Sequence, residues 1–138
     1  VKPFRLRPCG IALAWALALF WGYAGVGKLV ELTSEPDPLA TATWADQFPT
    51  PLVAAVAACE ALAALLIFAG FVRSGLLATL ALLAAFSIAL VVNPPEAGQP
   101  CGCGGAAALD TTEPLLRNAV LSGVTLLGLA LAAVRRSG

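Results

Sequence analysis

The chain has 138 residues, 59% of them hydrophobic and 12% charged, with no histidine and a formal net charge of zero. An average soluble domain carries about 25% charged residues, and the mean hydropathy here is +0.88, which excludes a water-soluble globule and gives no basic field for nucleic acid. Without histidine, imidazole bases, His–Cys nucleophile pairs and His-ligated metals are excluded as well.

The apolar pattern predicts an all-α fold: a polytopic membrane protein whose single domain, 1–138, is an antiparallel bundle of four transmembrane helices. About 20 apolar residues span a hydrocarbon core of roughly 30 Å. The first such segment is 10–30. Lys2, Arg5 and Arg7 before it resemble a signal-peptide start, but the apolar run exceeds the roughly 7–15 residues of such a signal, so it reads as a retained helix. A first outer loop, 31–51, follows; within it Leu39 to Trp44 suits a short interfacial helix with Trp44 at headgroup level. Helix two is expected at 52–72, with Thr50 as its cap and Pro51 at its first position. Only Arg73-Ser74 then separates it from helix three, 75–92, which Asn93-Pro94-Pro95 ends. A second outer loop, 93–114, leads to helix four, 115–134. Thr112-Glu113-Pro114 starts that helix and sets a carboxylate at its positive dipole end.

Charge sorts by loop. With the N-terminus inside, Lys2, Arg5, Arg7, Arg73, Arg135 and Arg136 are cytoplasmic, 6 of the 8 cations, with no acid among them. Seven of the acids fall in the two outer loops or at their helix junctions. The positive-inside rule therefore predicts both termini in and both long loops out.

The second outer loop carries the one conspicuous motif, Gln99-Pro100-Cys101-Gly102-Cys103-Gly104-Gly105. A disulfide between Cys101 and Cys103 closes a very small ring, and departure from relaxed geometry makes such a bond easily reduced. Outside the membrane is also where disulfides persist. Three uses fit the pair: thiol–disulfide exchange, soft-metal handling, or a structural clip. Two thiolates with no histidine make an incomplete zinc site, so no metal ligand set is assigned. Cys9 lies at the cytoplasmic entrance of helix one. Cys59, within helix two, reads as a small packing residue, with an electron relay as its functional alternative.

Glu60 lies nine positions beyond Pro51, about 13 Å into its helix. A carboxyl group that deep faces the bundle and needs a partner, or is neutral. Lys28 and Arg117 are the candidate partners, both nearer the outer surface. Gly22, Gly25 and Gly27 in helix one, and alanines in helices two and three, supply the small faces on which membrane helices pack.

Four segments come in a telling order: Trp21-Gly22-Tyr23-Ala24-Gly25-Val26-Gly27-Lys28-Leu29, Cys59-Glu60-Ala61-Leu62, Cys101-Gly102-Cys103-Gly104-Gly105 and Leu116-Arg117-Asn118. In that order the chain resembles the MauE branch of the DoxX-like membrane proteins, from about Ala14 to Leu131. It departs from the branch at Gly104, where an aromatic residue is usual. The resemblance implies a four-helix protein of the bacterial inner membrane. The implied role is thiol redox and the maturation of disulfide-containing periplasmic enzymes, methylamine dehydrogenase in particular. Its last motif adds Asn118 to Lys28, Glu60 and Arg117 as candidate structural or polar-network residues, with Cys101 and Cys103 as the reactive pair. The implied partner is a periplasmic thiol or disulfide protein of thioredoxin-like kind, and a quinone is the candidate electron carrier. A non-catalytic assembly subunit among other membrane subunits is the rival reading, with soft-metal handling third.

Overall fold

A computed structural model describes residues 8–34, 43–96 and 112–133. It contains α1 (Pro8–Thr33), a short 3-10 helix (Trp44–Gln47), α2 (Thr50–Phe68), α3 (Val72–Val92) and α4 (Thr112–Ala133), with no strand among the described residues. All four α-helices are long and apolar enough to cross a membrane. The cysteine pair Cys101/Cys103, residues 39–42 and the terminal cations Lys2, Arg5, Arg7, Arg135 and Arg136 lie outside the described residues.

Several boundaries differ from the sequence expectation, each for a local reason. α1 runs three residues past Val30, because the Thr33 and Ser34 hydroxyls donate to the carbonyls of Leu29 and Val30 and satisfy the helix end. α2 starts at Thr50, which makes no side-chain cap bond; Pro49 occupies the cap position. The largest correction concerns the link between α2 and α3. It is formed by residues 69–71, not by Arg73-Ser74, which belong to the first turn of α3. Gly70, at φ +88°, supplies the left-handed residue there. The Phe71 N–H donates to the Leu66 carbonyl (2.8 Å) and the Gly70 N–H to that of Ile67 (3.1 Å), which together form a Schellman stop.

Each helix packs on its chain neighbour, and α1 also touches α4, so the bundle closes into a ring. Leu17, Trp21, Ile67, Leu76 and Leu83 fill its centre. The outward face carries Trp15, Leu19, Tyr23, Leu65 and Ile88, all exposed. Buried polar positions, by contrast, are Lys28, Glu60, Thr79, Asn118 and Thr125. Polar groups inside and apolar side chains outside is the arrangement that hydrocarbon solvent selects.

Two glycines set the helix spacings. A Cβ on Gly25 would lie 2.9 Å from the Ala57 carbonyl oxygen and 3.0 Å from the Ala61 nitrogen, so α1 and α2 touch backbone to backbone. A Cβ on Gly75 would overlap Ile67 and approach the Ala63 carbonyl oxygen at 3.0 Å. Gly27, two residues from Gly25, has nothing within 4 Å of its Cβ direction. Gly25→Ala should therefore cost about 1–3 kcal/mol through overpacking. Gly27→Ala should be neutral or stabilise by up to about 1 kcal/mol by removing a helical glycine. Thermal unfolding midpoints of the two variants in one detergent check the contrast; equal midpoints would refute the close contact.

Candidate functional site

The close approach at Gly25 places the next turn of α1 above Glu60. Lys28 Nζ donates to Glu60 Oε1 at 2.6 Å and to Oε2 at 2.8 Å. Both side chains are buried, Lys28 at 6% and Glu60 at 1% exposure. Lys28 lies nearer this end of the bundle on α1 than Glu60 does on α2, and its four-carbon stem spans the difference because the glycine lets the helices meet. Of the two expected partners, Lys28 engages both carboxylate oxygens, while Arg117 lines the same recess from α4.

Aromatic rings enclose the lysine. Its Nζ stands 5.5 Å from the Phe86 ring centroid, a cation–π distance. Trp21 stacks nearly parallel on Phe86, at 6.3 Å and 6°. Trp44, expected at headgroup level, turns its ring inward and is 3% exposed. Its Nε1 donates to the Asn93 carbonyl (2.7 Å), and its ring meets Phe48 edge-on at 4.9 Å. The 3-10 segment that carries Trp44 is folded by Asp46, whose carboxylate accepts from the Thr43 N–H and hydroxyl. That tie lets the tryptophan cap the bundle instead of lying along its surface.

On α4, Asn118 is buried and its Nδ2 donates to Ser87 Oγ (3.3 Å), which donates in turn to the Leu83 carbonyl (2.8 Å). Lys28, Glu60, Trp21, Arg117 and Asn118 border a recess of about 20 Å³, room for about one water molecule. Trp21 Nε1 is buried and has no hydrogen-bond partner among the described residues. Among those residues no three His, Cys, Asp or Glu side chains come together. The chemistry on offer is thus several N–H donors around one carboxylate.

All of this lies at one end of the bundle. The C-terminal turns of α1 and α3 and the N-terminal turns of α2 and α4 meet there, and the chain from Asn93 to Thr112, which carries Cys101 and Cys103, leaves and returns at that end. Cys59 does not join the site. Expected as a packing residue, it is exposed on the outward side of α2. The inward face is Ala57, Glu60, Ala63, Ala64 and Ile67, and position 59 falls off that stripe. Phe86 and Ser87 escaped the sequence reading, which gives Trp44 only as an interfacial residue. Ser87 alone left a signal, a hydroxyl in an otherwise apolar helix.

The family model described as methylamine utilisation protein MauE matches residues 6–131. No curated protein and no solved structure matches the chain. The matched span includes every residue of the buried site.

Removing one partner of a buried ion pair typically costs about 3–5 kcal/mol, whereas replacing both with apolar groups is often near neutral. Glu60→Leu should accordingly unfold at a much lower temperature than the Lys28→Met/Glu60→Leu double variant. Melting curves followed by circular dichroism decide it. A double variant as unstable as the single one would show that the pair is not what matters.

Proposed function

Since the chain belongs to the MauE family, as a multi-pass membrane protein of methylamine utilisation, we propose that its task is thiol–disulfide exchange through Cys101 and Cys103. The observation that carries the reading is the Cys-Gly-Cys motif, in the one segment joining α3 to α4 at the end of the bundle that holds the Lys28–Glu60 pair. The 6-to-2 division of cations between the two ends supports an outward-facing loop in a bacterial inner membrane. There the client is a periplasmic enzyme that needs disulfides, or a thioredoxin-like carrier serving it.

The exchange balances as follows. A client thiolate attacks one sulfur of the Cys101–Cys103 disulfide and forms a mixed disulfide. The client's second thiolate attacks that bond, and the client leaves oxidised. Two electrons and two protons remain on Cys101 and Cys103 as a dithiol. We assign Cys103, which two glycines follow in the sequence, as the sulfur that joins the client, and Cys101, which follows Pro100, as the thiolate that leaves. The Lys28–Glu60 pair ties α1 to α2, and the Asn118–Ser87 bond ties α4 to α3, the two helices between which the loop runs. Cys59, on the outward face of α2, has no part in the cycle.

Maturation of the disulfide-containing client, measured in cells by its activity and by its thiol content, tests the reading. Either Cys101→Ser or Cys103→Ser should reduce it at least about tenfold, because exchange requires both sulfurs. Cys59→Ala should leave it unchanged. A membrane-impermeant maleimide should label the reduced pair in intact cells. Full maturation with the double serine variant would reject the redox function, and labelling only in inverted vesicles would reject the topology.

A further inference from the structure

α2 and α3 are in backbone contact at Gly75 and stand apart toward their other ends. There Leu52, Val53 and Val56 face Leu82, Ala85 and Ala89 across a chamber of about 200 Å³. Trp44, Phe48 and Phe86 complete its walls, and Lys28 is the one charged residue that borders it. We propose that this chamber binds the ring of a membrane-soluble quinone, with a ring carbonyl oxygen accepting a hydrogen bond from Lys28 Nζ.

The count of donors points to an acceptor. An ammonium group carries three N–H bonds; Lys28 gives two to Glu60, and no described group accepts the third. On the recess side of the same lysine, Trp21 Nε1 is a second buried donor with no acceptor among the described residues. The third N–H of Lys28 is thus a donor open to an oxygen acceptor on the chamber side. Charge then selects its kind. Glu60 already balances Lys28, so a carboxylate or phosphate entering this apolar chamber would bring an uncompensated charge. A neutral carbonyl brings none. Shape selects further, since three aromatic walls favour a planar ring over a flexible acyl chain. The remaining walls are aliphatic and suit a ligand that arrives through lipid.

The assignment deepens the redox reading and rests on it only for purpose. A quinone at this site takes the two electrons and two protons of the Cys101/Cys103 dithiol, giving quinol and restoring the disulfide. Binding itself does not require the cysteines, which makes the two claims separable.

The full chain in lipid nanodiscs is titrated with decylubiquinone while tryptophan fluorescence is followed, Trp44 being part of the chamber wall. The quenching should saturate. Ala85→Phe and, independently, Val53→Phe should fill the chamber and weaken binding at least about tenfold with helix content unchanged, as should replacement of the quinone by decylbenzene, which keeps ring and tail but has no carbonyl. The Cys101→Ser/Cys103→Ser variant should bind as the parent does. Quenching that rises linearly and equally in parent and filled variants means partition into lipid only and overturns the proposal. Equal competition by decylbenzene overturns it too, by showing an apolar slot indifferent to the carbonyl. Saturable binding combined with full client maturation by the double serine variant would reject the redox reading alone. Loss of maturation without saturable binding would reject the chamber assignment alone.

Discussion

The contact between Lys28 and Glu60 governs how this bundle is put together. In hydrocarbon an isolated ammonium or carboxylate is severely destabilised, so neither α1 nor α2 has a comfortable place in the membrane alone. Together they offer each other a bidentate contact at 2.6 and 2.8 Å. The register of α1 on α2 is fixed by that requirement. Apolar helices in lipid otherwise slide at little cost, because one leucine neighbour is much like another. Gly25 is the structural condition for the contact. With a side chain at that position the helix backbones would separate, and the lysine, which starts nearer the end of the bundle, would no longer reach. A cationic side chain, an anionic one and a glycine thus act as a single device.

The two ends of the bundle differ in kind. At the end nearer the α2–α3 link, Gly75 lets α3 approach the Ala63 carbonyl and Ile67 of α2, and the centre is packed by Ile67 and Leu76. At the opposite end α2 and α3 part while α1 and α2 stay in contact at Gly25, and polar side chains, aromatic rings and an apolar chamber lie there. Trp44 closes that end through its bond to Asn93, where α3 stops. Tight packing at one end is what holds the other end open without collapse.

Much of the fold was legible because the bilayer imposes a length. Four apolar runs of about 20 residues are hard to misread, and the prolines after Asn93 and at Pro114 mark their helix ends through a mechanism that acts in any solvent. The short link was harder. Arg73-Ser74 looks like a break in an apolar pattern, yet polar residues are tolerated in a first helical turn, whereas a left-handed residue is not readily supplied by anything but glycine. Gly70 was the better marker. Glu60 announced itself by depth, and its two candidate partners followed from the scarcity of cations. Choosing between them needed the approach at Gly25, which sequence spacing does not encode. Cys59 went the other way because alanine surrounds it on both faces of α2, so that composition could not say which face was inward.

Trp44 shows why the rest was not legible. Its amphipathic ring is at home at a membrane interface, and propensity alone puts it there. Two non-local facts draw it in: a carbonyl freed at the end of α3, and Asp46 holding the preceding backbone in a 3-10 turn. The indole N–H replaces the bond that Asn93 loses where the helix stops, and the ring covers Leu90 and the chamber beside it. The residue that reads as an anchor to lipid is therefore the roof of the site. Because it is joined to the terminus of α3 and not to the ion pair itself, the roof and the charged floor are held by different helices. The distance between them is set by how far α3 stands from α1 and α2. That spacing, in turn, follows from the glycine contacts at Gly25 and Gly75, which lie outside the chamber but determine its depth.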